Sequence, residues 1–186
     1  MNLAHLKADV TLSQFVLIDV QVRLATVMPT DAMQALIQNC GILAQVANIL
    51  DVPMIVTEQY PQGLGQTVPE LSAFLTAIHP VEKITFSCMA EARFSRQLTR
   101  DHSQIILAGM ESHICVLQTA LDLIATGKQV FIVEDAVISR NPANKANALA
   151  RMRDAGCIIT NTESVVFEWL GAAEGDVFKT VSKLIR

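Results

Sequence analysis

Short apolar runs alternate with longer amphipathic stretches along most of the chain. Phe15–Val20, Pro53–Thr57, Gln104–Gly109, Gln129–Val133 and Cys157–Thr160 are apolar through much of their length and bounded by polar residues or turn formers. That is the pattern of parallel strands covered on both faces, not of half-exposed strands with strict alternation. A weaker run, Val81–Phe86, adds a sixth strand. Between the runs, Thr30–Leu50 repeats apolar residues at Met33, Leu36, Ile37, Cys40, Leu43, Ala44, Ala47 and Leu50, a helical period. Asn141 and Pro142 open a second helix that Gly156 closes, and Ser112–Thr126 is a third, closed by Gly127. The alternation predicts an α/β fold with a doubly wound, mostly parallel sheet of about six strands and helices on both faces.

Composition narrows the class. A length of 186 residues fits a single domain, 1–186. With 51% hydrophobic and 17% charged residues and a mean hydropathy of +0.37, the chain is no disordered segment. The net charge of −4 and the lack of any Lys/Arg run argue against nucleic-acid binding. No apolar run approaches the ~18 residues of a membrane span. Lys7 and Asp9 stand where a signal peptide would be apolar, so a cytoplasmic location is expected. The four cysteines form no CxxC pair and have no zinc-site spacing.

In such sheets, sites form beyond the carboxyl ends of the strands. No GxGxxG, GxxxxGK[ST], GxSxG or HExxH occurs, so neither cofactor nor metal is expected. What remains is Asp, Lys and Cys. Cys115 lies near the start of the third helix, on an arc with Gln118, Thr119 and Asp122 and away from Ile114, Leu117, Leu121 and Ile124. A helix N-terminus favours a thiolate, so Cys115 is expected to ionise well below the ~8.5 of free cysteine. Cys40 and Cys157 read as buried, and Cys88 as a competitor beside the same pocket. Asp19 interrupts an apolar strand, where a carboxylate is costly unless paired. Lys83 lies among apolar residues in VEKITFS. Together the three can supply a base, a positive charge and a nucleophile for a carbonyl.

The segments LIDVQ, TEQYPQGLGQTVPEL, EKITFSCM and LAGMESHICVLQTALDLIATGKQVFIVEDAVISR resemble the isochorismatase-like cysteine hydrolase superfamily. The likeness is nearest to its short, single-domain branch of YcaC-related and isochorismatase-domain-containing hydrolases, over about Leu12 to Gly171. It implies a three-layer Rossmann-like fold with a catalytic triad of Asp19, Lys83 and Cys115. It also implies a cis peptide at Met110–Glu111, with the N–H groups of Glu111 and Cys115 as oxyanion hole, and a pocket lined by Gln21, Tyr60, Phe86 and Met89. The metal-binding histidines of nicotinamidases have no counterpart in TEQYPQGLG. True isochorismatases cleave a vinyl ether without a cysteine nucleophile, so Cys115 points to an amide or related small carbonyl substrate. A vinyl ether hydrolase and a catalytically silent oligomeric interaction module are the alternatives. The apolar Val165, Val166, Phe167, Trp169 and Leu170 add an expectation of a homo-oligomer, a dimer or larger.

Overall fold

In the computed structural model, which describes residues 6–185, all six expected runs join one sheet. The strands are β1 (Ser13–Ile18), β2 (Met54–Gln59), β3 (Val81–Lys83), β4 (Gln104–Met110), β5 (Gln129–Ile138) and β6 (Ile158–Thr160). Residues 1–5, the start of the stretch that argues against a signal peptide, lie outside the described residues. The strand order is β3-β2-β1-β4-β5-β6, and every neighbouring pair is parallel, where the sequence predicted mostly parallel. The chain winds outward from β1 to β3, then crosses back to β4 beside β1. That reversal leaves a crevice beyond the carboxyl ends of β1 and β4.

Period-two alternation within the strands divides the core into two layers. Phe15 and Leu17 of β1, Ile106 of β4 and Phe131 of β5 pack beneath the helices Thr30–Ile49 and Thr162–Leu170. Val16, Ile18, Ile105, Leu107 and Ile132 face the opposite way, against Leu117–Ala125 and Pro142–Asp154. Helices thus cover both faces, a three-layer α/β arrangement. Among the described residues no helix is long and apolar enough to cross a membrane.

Where elements differ from expectation, the causes are local. β3 ends at Lys83 instead of Phe86 because the backbone curls round the lysine, whose Nζ donates to the carbonyls of Thr85 and Phe86 at 3.3 Å. β5 runs on to Ile138 through a register shift in its pairing with β4. Glu134 and Asp135 therefore lie within the strand as an exposed bulge, and Asp135 Oδ1 accepts from Thr162 N at 2.9 Å. Most of the apolar residues of Thr162–Leu170 are no surplus surface: Val165, Val166 and Trp169 are buried, and Trp169 Nε1 donates to Ser13 Oγ at 2.9 Å. Phe167 is the exposed one of the five, at 41%.

Gly109 has a direct bearing on the site. Its φ is +122°, and a Cβ there would lie 2.0 Å from the Ile18 carbonyl oxygen. Only glycine lets the end of β4 lie this close to the end of β1, which carries Asp19.

Candidate active site

Asp19 follows β1 with φ 51°, a left-handed conformation that Asp tolerates better than most residues. Its N–H donates to the Thr57 carbonyl at 3.1 Å, which ties the bend to β2. The carboxylate is fully buried. Oδ1 accepts from Thr57 Oγ1 at 2.7 Å and Oδ2 from Lys83 Nζ at 2.6 Å. Lys83 Nζ also donates to Gln59 Oε1 at 2.7 Å. β2, which lies between β1 and β3, thus supplies the two side chains, Thr57 and Gln59, that hold the ion pair in register. The sequence reading gave neither a role, although Gln59 stands at a strand end and a threonine within the apolar run MIVTEQ was a signal.

Cys115 arrives from β4. The Met110–Glu111 peptide is cis, and Ser112–Val116 form a π-helical turn before the α-helix Leu117–Ala125 begins. The widened turn changes the angular placement assumed at 100° per residue. Cys115 packs with the apolar cluster of Val116, Leu117 and Ala120 instead of standing clear of it. Its thiol lies within the electrostatic reach of Asp19 and Lys83. The polar arc predicted for this helix faces the segment after Lys83: Thr119 Oγ1 accepts from Cys88 N at 3.0 Å, and Asp122 Oδ2 accepts from Ser87 Oγ at 2.5 Å.

Charge in this cluster overturns one expectation. Burial first, then the Asp19 carboxylate, pushes the Cys115 thiol up, against the pull of Lys83. The helix N-terminus does not outweigh burial and the nearby Asp19 carboxylate, which favour the neutral thiol. Burial alone would lower Lys83, but Asp19, with smaller help from Cys88 and Cys115, holds the ammonium above its ordinary range. Cys88 is fully buried, and burial and Asp19 push its thiol up to about 11.

Cys115 opens on a cavity of ≈ 110 Å³. Leu24, Leu64, Phe86 and Ile114 form its apolar walls, and Gln59 and Glu111 are its other polar residues. Of the four predicted pocket residues only Phe86 lines it. Gln21 is buried as a clamp, with Nε2 donating to the carbonyls of Gln59 and Gly65 and Oε1 accepting from Gln59 N. Tyr60 lies over Gly63, where a Cβ would meet its ring at 2.3 Å, and Met89 packs into the core layer behind. Leu24, Leu64 and Ile114 were not foreseen, because only the crossing of three separate segments brings them together. Among the described residues no group of three or more His, Cys, Asp or Glu is placed to hold a metal ion. A larger cleft, ≈ 300 Å³, lies beside Glu58 and Glu82; it has no cysteine, lysine or histidine in its lining, and its hydroxyls, Thr67 and Ser72, donate to Glu58 Oε1 and the Val68 carbonyl.

Residues 13–164 match the isochorismatase domain family. Isochorismatase domain-containing protein 2 of Danio rerio is 41% identical over 150 residues, which cover 80% of this chain and 75% of that protein. The solved structure described as MAR1 ribonuclease from Caenorhabditis elegans superposes with a TM-score of 0.90 at 36% identity, covering 96% of this chain and 92% of that one. YcaC from Pseudomonas aeruginosa, solved with hexane-2,5-diol and covalent acrylamide, gives a TM-score of 0.86 at 25% identity, covering 96% and 91%. Sequence match and three-layer fold agree, and the chain belongs to the isochorismatase family of hydrolases.

Proposed function

We propose that the chain, 1–186, works as one cysteine hydrolase of small amides or related carbonyl compounds, through an Asp19–Lys83–Cys115 triad. One observation carries this reading: a fully buried carboxylate paired with an ammonium 2.6 Å away lies close enough to a pocket-lining thiol to act on its charge. The Cys115 sulfur attacks the carbonyl carbon while its proton passes to Asp19. Lys83 keeps Asp19 oriented, and the negative oxygen rests on the N–H groups of Glu111 and Cys115. Asp19 then protonates the leaving group, and a water deprotonated by Asp19 cleaves the thioester. Covalent acrylamide in the Pseudomonas relative supports a reactive nucleophile in the family. Incubating the protein with a panel of short amides, and following intact mass on the millisecond-to-second scale, should reveal a transient acyl adduct on Cys115. Turnover of a panel member with no such adduct, and no burst of leaving group, would count against the thioester.

A ribonuclease reading, suggested by the name of the C. elegans protein, finds little support in these residues. The chain carries a net −4, and no cation lines the cavity to receive a phosphodiester. Nor does the mechanism need a metal. Dialysis against a strong chelator should leave turnover within about twofold of the untreated rate. Loss of activity with recovery on adding zinc would contradict the ligand inventory.

We also propose a homo-oligomer in the cytoplasm. The support is a rim of exposed apolar side chains, Tyr60, Ile84 and Phe86, the second of them 81% exposed. Sedimentation at micromolar concentration should give species of twice the 20.3 kDa chain mass or more. A 20.3 kDa species alone would remove the proposal.

A further inference from the structure

The hydrogen-bond inventory of the Cys115 cavity restricts what it can receive. Lys83 Nζ has three protons and already faces four acceptors: Asp19 Oδ2, Gln59 Oε1 and the carbonyls of Thr85 and Phe86. Gln59 is engaged at both ends, since its Nε2 donates to the Ile84 carbonyl at 2.8 Å. Lys83 has no donor left for a ligand, and Gln59 keeps only the second proton of its uncharged Nε2 amide. Glu111 differs. Its Oε2 accepts from Arg140 N at 2.9 Å and Arg140 Nε at 3.2 Å, while Oε1 has no hydrogen-bond partner among the described residues. The Glu111 side chain is 6% exposed and lines the cavity, whereas Arg140 is 58% exposed.

We infer that the site selects short, uncharged amides with an apolar acyl group and excludes carboxylates, with Glu111 setting that preference. The inference rests on the cysteine-hydrolase reading and names its substrate class. A carboxylate brought to Cys115 finds no free cation, at most one uncharged side-chain donor in Gln59, and lies near both Asp19 and Glu111, and a charge without a counter-ion or water is costly. An amide N–H instead finds a free acceptor in Glu111 Oε1. Size points the same way. The ≈ 110 Å³ cavity is well below the roughly 300 Å³ at which ordinary ligand sites begin. At ~30 Å³ per water-sized group it admits an acyl portion of about four heavy atoms.

Iodoacetamide and iodoacetate test this, being alike in size and leaving group and different in charge. With either, the Cys115 sulfur forms a bond to the methylene carbon, iodide leaves with the C–I electron pair, and the thiol proton passes to Asp19. Rates at Cys115 are measured by peptide mapping of the native full-length protein, and again in urea as the unfolded reference. The native preference for iodoacetamide over iodoacetate should exceed the unfolded one by roughly tenfold or more. Glu111→Gln should bring it back towards the unfolded value. Arg140→Gln, at an exposed side chain, should increase it by removing the compensating charge. A native preference equal to the unfolded one, or one unmoved by both variants, overturns the selectivity and leaves the nucleophile standing. If neither reagent labels native Cys115 while both label it in urea, the cysteine-hydrolase reading falls, and the selectivity with it.

Discussion

Cys115→Ala should lower kcat/KM for any substrate found by about 10⁴-fold or more, the scale seen when a covalent nucleophile is removed from a triad. Neither Asp19 nor Lys83 can take its place. Both are buried, and each is already occupied by the other, by Thr57 or by Gln59. The fold should survive, since the lost sulfur leaves a gap beside a cavity that already exists. An unchanged circular dichroism spectrum and a melting temperature within a few degrees would separate lost chemistry from lost structure. Cys88→Ala is the companion experiment. Cys88 lies in the same charged cluster but does not line the cavity, so its loss should leave most of the activity. The opposite pattern, Cys88→Ala inactive and Cys115→Ala active, would move the nucleophile to Cys88.

Lys83→Met should be the most destabilising single change at the site. It leaves the Asp19 carboxylate in a fully buried position without its cation, and breaking a buried pair this way costs about 3–5 kcal/mol. With an m-value of ~2 kcal/mol/M, the urea midpoint should fall by roughly 2 M. Replacing both charges, as in Asp19→Leu with Lys83→Met, should recover much of that stability, because no unpaired charge remains. The double variant should stay inactive. Turnover by it would sink the triad.

The pH dependence of the wild type follows from this cluster together with Cys40 in the opposite core layer. Cys40, Cys88 and Cys115 have thiols raised by burial, and Lys83 is raised by Asp19 despite its burial. A group raised on folding contributes its full stability below its unfolded pKa and loses it as pH climbs to the folded value. Stability should therefore begin to fall above about pH 8.5 through the thiols, and again above about 10.4 through Lys83. The second decline should be missing in Lys83→Met. Urea midpoints measured from pH 7 to 11 on both proteins would display the difference.

The hydrophobic pattern by itself determined six strands, the helices between them and the parallel class of the sheet. Runs such as Phe15–Val20 and Gln104–Gly109 are apolar on both faces, and only a doubly covered sheet can bury them. It also singled out Asp19, Lys83 and Cys115 as candidates, which the family resemblance joined into one triad. Aspartate in an apolar strand, lysine among apolar neighbours and cysteine at a helix start each need a partner that their local surroundings lack. The tertiary structure decided what those partners do. Thr57 and Gln59 orient the ion pair because β2 happens to lie between β1 and β3, an adjacency no local pattern encodes. The ionisation of Cys115 reversed direction because a helix terminus acts over one turn, whereas burial against Asp19 depends on how β1 and β4 are set side by side. The cavity walls were decided last of all. Leu24, Leu64, Phe86 and Ile114 come from four distant stretches of chain, and van der Waals contact between such segments exists only once the sheet has closed.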